Sequence, residues 1–178
     1  ENTCEKKIIV YHNKKYSSRF FAWKIEANNE LGMLTELDFC KKRIENFLAE
    51  MKRKEKSTIV NKYFHLVPFG KTKSFGKRTI LIGDACAQVK PLTGGGIIYS
   101  LTACKIAENS IIEFFRKGDE RNSEKILEKY QRNWRKALGR DIFIQNKLRD
   151  FYERTEQKDI ERIARNFNDI YIEELDYD

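Results

Sequence analysis

The feature that most constrains this chain is a strand–loop–helix pattern in the middle of the sequence. A short apolar run, Thr79-Ile80-Leu81-Ile82, leads directly into Gly83-Asp84, and three successive glycines, Gly94 to Gly96, precede a long apolar segment. Short continuous apolar runs are typical of strands buried on both faces. The pattern therefore predicts a buried strand ending in a carboxylate, followed by a helix from Ile97 to about Arg116 that Gly118 closes.

The chemistry of this stretch favours a ligand site. Asp84 stands at the carboxyl end of the predicted strand, where ligands bind in open α/β sheets, and it can accept hydrogen bonds from hydroxyl or amide donors. The glycines Gly94 to Gly96 remove every Cβ at a helix start, so a planar or anionic ligand can approach the backbone. The alternative interpretation is a simple turn at Gly83-Asp84 and a flexible glycine loop. The two pieces in this order are more specific than either alone.

The rest of the chain predicts mixed secondary structure, of an α+β or α/β class. Strands are predicted at Ile8–Tyr11, within the aromatic segment Arg19–Ile25, at Met33–Leu37 and at Ser57–Val67. Asp38 is the expected N-cap of a helix with Cys40, Ile44, Phe47, Leu48 and Met51 on its apolar face. From Ser123 onward the pattern predicts helices, with one apolar stripe at Ile126, Tyr130 and Trp134 and another at Ile160, Ile163, Ala164 and Phe167.

Composition excludes several classes of protein. With 40% hydrophobic residues the chain can build a core, and no apolar run reaches the roughly 18–20 residues of a membrane span. Its four cysteines form no disulfide framework and no metal motif, so we predict reduced thiols and no metal. The net charge is +8, but the sequence lacks the interleaved basic and aromatic residues of a nucleic-acid-binding surface. We therefore predict no nucleic-acid partner. An anionic membrane surface or a solvated lysine-rich surface remain as explanations.

Two segments imitate functional motifs. The stretch Gly70 to Arg78 resembles a phosphate-binding loop, but five residues separate its glycines instead of four and Arg78 replaces the Ser/Thr, so we interpret it as a basic surface loop. His65 could donate a proton, although a lone histidine on an alternating segment favours a structural role. Cys86 and Cys104 flank the glycine triplet, and we expect them to be small apolar residues without redox action.

The central stretch resembles the second FAD-binding motif of the aromatic-hydroxylase-like flavoproteins, and most closely that of the geranylgeranyl reductase family. The family pattern is Gly-Asp-Ala-Ala-Gly, then Pro, Thr and Gly-Gly-Gly-Ile. This chain matches it at Gly83, Asp84, Ala85, Pro91, Thr93, Gly94, Gly95, Gly96 and Ile97. Cys86 and Ala87 replace Ala and Gly, which we interpret as small-for-small changes. Ala87, Gly95 and Ile98 stand where hydroxylases carry His, Gln and Asn, and this favours a reductase.

The resemblance implies a role for each matched residue. Asp84 would hydrogen-bond the ribityl or pyrophosphate part of FAD, and Gly83 belongs to the same turn. The backbone of Gly95, Gly96 and Ile97 would meet the pyrimidine edge of the flavin, and Pro91 would lie against the ring near its reactive side. A weaker match, Phe21-Ala22-Trp23, resembles the aromatic segment of prenyl reductases, although Glu26 stands where proline is expected. It implies that Phe21 and Trp23 line a channel for the isoprenoid; the alternative is that both are core aromatics.

The predicted function is that of an FAD-dependent oxidoreductase that reduces C=C bonds in geranylgeranyl chains of lipids. No Gly-x-Gly-x-x-Gly unit is present and residue 1 is not Met, so we expect the C-terminal part of a longer flavoprotein, lacking its N-terminal Rossmann portion. The expected parts are a substrate-domain sheet (1–68), the end of the FAD domain (69–118) and C-terminal helices (119–178). No catalytic residue is identified.

Partners and rival functions follow from the same resemblance. Arg135, within the basic cluster Arg132, Arg135 and Lys136 around Trp134, is the expected contact for the lipid substrate or the membrane surface. We expect a cytoplasmic protein with peripheral contact at the inner membrane face. Two alternatives stay open: a flavin-dependent monooxygenase of the hydroxylase type, and a basic α+β binding module with no cofactor.

Overall fold

In a computed structural model, the chain combines a small antiparallel sheet with four helices. The structure describes residues 7–55, 58–117 and 120–166. Within these, the strands are β1 (Ile8–Tyr11), β2 (Ala22–Ile25) and β3 (Glu30–Met33), and the helices are α1 (Cys40–Glu55), α2 (Ile97–Lys117), α3 (Glu120–Arg154) and α4 (Gln157–Asn166). The mixed α+β class predicted from the sequence is confirmed. None of the helices formed by the described residues is long and apolar enough to cross a membrane.

The chain divides into two compact units. Among the described residues, the first comprises 7–55, 58–64 and 149–166, and the second comprises 65–117 and 120–148. Each unit has its own apolar core, described below. The three-part division predicted from the sequence stays a prediction.

The first unit is built on a three-stranded sheet in the order β1-β2-β3. Ala22 pairs with both Tyr11 and Met33, and Ile25 pairs with both Ile8 and Glu30. Helix α1 covers the sheet with its apolar face, so Phe47 and Met51 are fully buried beside Tyr16 and Ala22. The last turn of α1 carries Lys52, Arg53 and Lys54, whose charges suit the negative end of a helix.

Gly32 leaves room for the side chain of Trp23 on the neighbouring strand. They are cross-strand partners, and a Cβ built on Gly32 would lie 2.1 Å from the indole ring. The absence of a side chain at position 32 therefore lets the indole of Trp23 lie flat against the neighbouring strand. Trp23 is half-buried, and its Nε1 donates a hydrogen bond to Glu30 Oε1 at 3.3 Å.

The third strand lies three residues earlier than predicted. A 3₁₀ turn at Glu26–Asn28 ends on Asn29, which has a left-handed conformation (φ 50°), so pairing resumes immediately at Glu30. The prediction of a strand at Met33–Leu37 was wrong, because Leu37 starts a 3₁₀ turn over Leu37–Phe39. Asp38 lies inside that turn and is not the N-cap of α1, which was also predicted wrongly.

The second unit packs α2 against α3. Tyr99 and Ala107 from α2 meet Tyr130, Trp134 and Leu138 from α3, and all five are buried. Ile80 and Ile82 pack against this cluster. The stripe predicted at Ile126, Tyr130 and Trp134 is confirmed, since each is at most 7% exposed. The helix predicted from Ile97 is also confirmed, while Gly118 lies outside the described residues.

Several predicted elements differ in the structure. Residues 58–67 form no strand, and Ser57 lies outside the described residues. In place of the strand at Thr79–Ile82 there is a single bridge between Phe75 and Ile80, because no longer partner segment lies beside it in the described part of the chain. Helix α4 has no buried residues, so the predicted stripe at Ile160, Ile163 and Ala164 forms no core; Phe167 lies outside the described residues.

The loop from Gly70 to Arg78 is held against α3. The Ser74 backbone N–H donates to Gln131 Oε1 at 3.0 Å, and Trp134 Nε1 donates to Ser74 Oγ at 2.8 Å. Lys71, Lys73, Lys77 and Arg78 are exposed, as expected of a basic surface loop, but Ser74 is fully buried.

Candidate functional site

Asp84 meets two of the three successive glycines, Gly94 and Gly96, in one cleft of the second unit. The cleft has a volume of about 500 Å³ and is lined by His65, Val67, Asp84, Gly94, Gly96, Ile97, Ser100, Leu101 and Cys104. This volume lies in the range of small-molecule sites. The sequence separates Asp84 from Gly96 by a long loop, and the fold closes that gap.

The turn that carries Asp84 depends on Gly83. The turn is a 3₁₀ helix, Gly83–Cys86. Gly83 has φ +67°, a backbone conformation that residues other than glycine rarely adopt. A Cβ at this position would also lie 2.9 Å from Ser100 Oγ on the first turn of α2. Gly83 therefore brings the turn against α2, and Asp84 follows at the cleft.

A buried hydrogen-bond chain holds the same turn from beneath. Gln88 Oε1 accepts from the Gly83 N–H at 2.7 Å, and Gln88 Nε2 donates to the Tyr130 hydroxyl at 2.9 Å. That hydroxyl in turn donates to the Leu81 carbonyl oxygen at 2.9 Å. Gln88 and Tyr130 are both fully buried, and burial raises the pKa of the Tyr130 phenol to about 12, so it remains a neutral donor. The chain fixes the loop to α3.

Ala87 is a strained residue in this loop. It has φ +57° and ψ +36°, the left-handed conformation, and its N–H closes the 3₁₀ turn on Asp84 and Gly83. The interpretation of Ala87 as a harmless small-for-small replacement of glycine was wrong. A residue with a Cβ in the left-handed conformation lowers the stability of the fold by roughly 1–2 kcal/mol. The Cys86 side chain is buried, and burial raises the pKa of its thiol to about 11.

The Asp84 carboxylate has two distinct environments. Its Oδ2 lies 3.3 Å from His65 Nε2. Its Oδ1 faces the glycine wall, since a Cβ built on Gly96 would lie 3.2 Å from it. The imidazole of His65 is mostly exposed, at 77% of its side chain, and the Asp84 side chain is 44% exposed. Both groups are therefore accessible to a ligand in the cleft. His65 is too exposed for the structural role that its sequence position favoured.

The predicted cofactor residues divide into three groups. Asp84, Gly94, Gly96 and Ile97 line the cleft, while Gly83 lies beneath it against Ser100. Gly95 is not among the lining residues, and its carbonyl oxygen accepts from the Lys90 N–H at 2.7 Å. Pro91 is buried and does not line the cleft.

The predicted substrate residues lie elsewhere in the chain. Phe21 and Trp23 belong to the first unit, are half-buried, and have ring centroids 5.9 Å apart. Arg135 is exposed on α3 in the second unit, where its guanidinium donates to the Thr72 carbonyl oxygen at 3.0 Å and lies over the Trp134 ring. It does not line the cleft. The substrate roles of all three stay predictions.

Ser100, Leu101 and Cys104 line the cleft and were not predicted as site residues. With Ile97 they follow the three- and four-residue spacing of one helix face, so the register of α2 could have identified them. Val67 and His65 lie on a segment without regular structure, and no local pattern places them near Asp84.

The residues of the cleft fit the flavin edge that the sequence resemblance implies. The glycine wall leaves a space beside Asp84 Oδ1 that a single Cβ at position 96 would narrow. The carboxylate supplies an acceptor for ligand hydroxyls, and the N-terminus of α2 favours negative charge. The site thus combines a flat backbone wall, one acceptor and a helix start.

Known proteins are similar to parts of this chain. No protein-family model matches the chain. A digeranylgeranylglycerophospholipid reductase from Methanosarcina mazei is 28% identical over 155 residues, covering 84% of this chain and 38% of that protein. The enzyme of the same name from Methanosarcina acetivorans is 31% identical over 96 residues, covering 54% of this chain and 23% of that protein. An uncharacterized protein from Methanocaldococcus jannaschii is 29% identical over 142 residues, covering 76% and 35% of the respective chains.

A solved structure shares the fold. The crystal structure of a geranylgeranyl bacteriochlorophyll reductase-like protein from Thermoplasma acidophilum matches with a TM-score of 0.77 and 14% identity, over 94% of this chain and 47% of that one. The chain thus spans less than half the length of these relatives. The resemblance predicted from the sequence is confirmed: the chain is similar in sequence to proteins named digeranylgeranylglycerophospholipid reductase and in fold to a geranylgeranyl bacteriochlorophyll reductase-like protein.

Proposed function

We propose that the cleft is part of an FAD site in an oxidoreductase that reduces C=C bonds in geranylgeranyl chains of lipids. The observation that carries this proposal is the meeting of Asp84 with Gly96 at the start of α2, where a Cβ would lie 3.2 Å from the carboxylate oxygen. The names of the similar proteins support the substrate class. Bound FAD in its reduced form supplies hydride chemistry for such a reduction.

The residues of the cleft would bind and orient the cofactor. Asp84 Oδ1 would accept a hydrogen bond from a ribityl hydroxyl or from another donor of the cofactor, while His65 Nε2 lies 3.3 Å from Oδ2. The backbone at Gly94, Gly96 and Ile97 would form the wall against the flavin. Ile97 and Leu101 would add apolar surface beside this wall.

Phe21 and Trp23 are proposed as apolar walls for the isoprenoid chain. Their rings pack at 5.9 Å, and the His12 ring lies 5.5 Å from that of Phe21, so the first unit presents a row of rings. Burial lowers the pKa of His12, which favours its uncharged form in this row. Replacing Trp23 by Ala should then impair lipid reduction without changing the flavin content.

Flavin retention tests the cofactor site. The chain is co-expressed with a Rossmann polypeptide that carries the ADP-binding half, and the purified complex is examined for bound yellow flavin. Asp84→Ala should lose the flavin and keep the far-UV circular dichroism of the parent, whereas Asp38→Ala, an exposed aspartate of the first unit, should retain it. Unchanged flavin content in Asp84→Ala contradicts the assignment.

The fate of the reduced flavin tests the reaction. Reoxidation by a geranylgeranyl lipid under anaerobic conditions supports the reductase. Productive oxygen consumption with an aromatic substrate instead supports a hydroxylase-type monooxygenase. Failure of the chain to bind flavin under every condition, including titration with free FAD, favours a binding module without cofactor.

A further inference from the structure

One face of α3 in the second unit exposes three large apolar side chains within six residues. Phe143, Ile144 and Leu148 are 62%, 44% and 49% exposed. The opposite face of the same helix buries Trp134 and Leu138 in the core. Ile144 and Leu148 are four residues apart and share a helix face, and Phe143 is joined to them through Arg140 and Lys147, which lie three or four residues from both Phe143 and Ile144.

Cations occupy the same face. Lys136, Arg140 and Lys147 are exposed and follow the same three- and four-residue spacing as the apolar residues. Lys147 Nζ lies 5.7 Å from the centre of the Phe143 ring, so charge and apolar surface are in direct contact. Within residues 136–148 the only carboxylate is Asp141, which lies at the edge of this face. We call this surface the α3 strip: Lys136, Arg140, Phe143, Ile144, Lys147 and Leu148.

We propose that the α3 strip binds a membrane surface that carries anionic headgroups. The proposal extends the proposed function, since an enzyme acting on lipid chains must reach a bilayer. Apolar side chains on one helix face enter the boundary between headgroups and acyl chains, while the adjacent lysine and arginine side chains bind the phosphates. A purely apolar protein partner would leave three cations to be desolvated without acceptors, so the charge pattern favours an anionic lipid surface.

Vesicle co-sedimentation tests the surface directly. The full chain is mixed with vesicles of phosphatidylglycerol and phosphatidylcholine, or of phosphatidylcholine alone, at low salt and at about 0.5 M salt. We expect binding to the anionic vesicles at low salt and much weaker binding in the other conditions. The triple variant K136Q/R140Q/K147Q should bind the anionic vesicles at least about tenfold more weakly than the parent.

A matched variant separates the strip from the general positive charge of the chain. K41Q/K52Q/R53Q removes the same number of lysines and arginines from exposed positions on α1. It should retain most of the binding. The apolar part is tested by F143S/L148S, which should also weaken binding. The control is L37S/F39S, which removes two exposed apolar side chains of the same two residue types from the first unit. Circular dichroism verifies that each variant is folded.

Fluorescence shows whether the strip itself enters the bilayer. Phe143→Trp should show a blue shift with anionic vesicles and quenching by brominated lipids beyond the signal of the parent, which contains Trp23 and Trp134. Equal loss of binding in the α1 variant, no added quenching at position 143, or an oligomer that the strip variants dissociate would each overturn the proposal. The flavin tests at Asp84 use a different readout, so failure of either proposal is recognised separately.

Discussion

The Gln88 amide donates to the Tyr130 hydroxyl at 2.9 Å, and through this bond the loop beneath the cleft is joined to α3. Gln88 also binds the Gly83 N–H, and Tyr130 binds the Leu81 carbonyl oxygen. Every polar group in this buried chain thus has a partner, and removing one group leaves another unsatisfied. The position of Asp84 therefore depends on two residues that do not line the cleft.

Tyr130→Phe should lower the free energy of unfolding by about 1–3 kcal/mol, because it leaves the buried Gln88 amide and Leu81 carbonyl without this partner. Urea unfolding followed by circular dichroism measures the change. Tyr63→Phe is the control, since Tyr63 is 93% exposed and its hydroxyl can be replaced at little cost. Equal effects of the two substitutions would show that the buried chain contributes nothing.

Gly83→Ala should destabilise the chain by about 1–3 kcal/mol, because the new Cβ meets Ser100 Oγ and the backbone there is left-handed. Gly139→Ala should act in the opposite direction and stabilise by about 0.5–1 kcal/mol. Gly139 lies inside α3, and a Cβ there would meet no atom within 4 Å. Thermal unfolding of both variants measures the contrast, and a stabilised Gly83→Ala would contradict the described turn.

Ala87→Gly and Ala137→Gly should differ in stability by about 1–2 kcal/mol in favour of the first, since glycine removes left-handed strain at position 87. Position 137 lies on the exposed face of α3, where glycine only destabilises the helix through its greater conformational freedom in the unfolded chain. Denaturant midpoints of the two variants give the comparison. If Ala87→Gly is as damaging as Ala137→Gly, residue 87 is not strained.

Cys104 should react with a thiol reagent near pH 8 while Cys86 should not. Burial raises the pKa of the Cys86 thiol to about 11, which leaves almost no thiolate, whereas Cys104 is exposed on α2. Mass spectrometry of peptides after brief alkylation locates the modified residue. The same reaction in guanidinium chloride should modify both cysteines, which verifies that the difference comes from the fold.

The stability of the first unit should depend on Glu50 in acid. Hydrogen bonds from Lys15, Tyr16 and Lys54 lower the pKa of this carboxyl from 4.5 to about 2. A group whose pKa is lower in the folded state stabilises the fold above its unfolded pKa, and this contribution is lost as the pH falls from 4.5 towards 2.

Glu50→Gln should therefore be less stable than the parent at neutral pH, and the difference should shrink as the pH falls towards about 3. Urea unfolding at several pH values measures it. Glu45→Gln, an exposed change on the same helix, removes the same charge and is the control. A difference that does not vary with pH would exclude this role for Glu50.

Local sequence patterns correctly predicted the helices and the strand whose formation depends mainly on residues close in sequence. Helix α2 and the stripe around Tyr130 follow from apolar spacing, and β1 follows from β-branched residues. Residues 58–67 alternate like a strand, but a strand needs a partner, and alternation does not supply one. The strand expected at Met33–Leu37 was displaced because the left-handed Asn29 shortened the preceding turn.

The candidate site was predicted only where a local sequence pattern marks its residues. The glycines and Asp84 carry a recognisable pattern, and the fold brings Asp84 and Gly96 together as expected. His65 was not foreseen beside Asp84, because the contact joins residues 19 positions apart across an irregular segment. The strain at Ala87 was also invisible, since residue type alone does not reveal a backbone angle.

The contact between Trp23 and Gly32 has a consequence for variation in this chain. Even an alanine at position 32 would overlap the indole, so it becomes acceptable only when position 23 shrinks at the same time. The coupling between the two positions therefore runs in one direction: a library that randomises position 32 alone beside Trp23 should yield few folded members, and a smaller residue at position 23 should recover them.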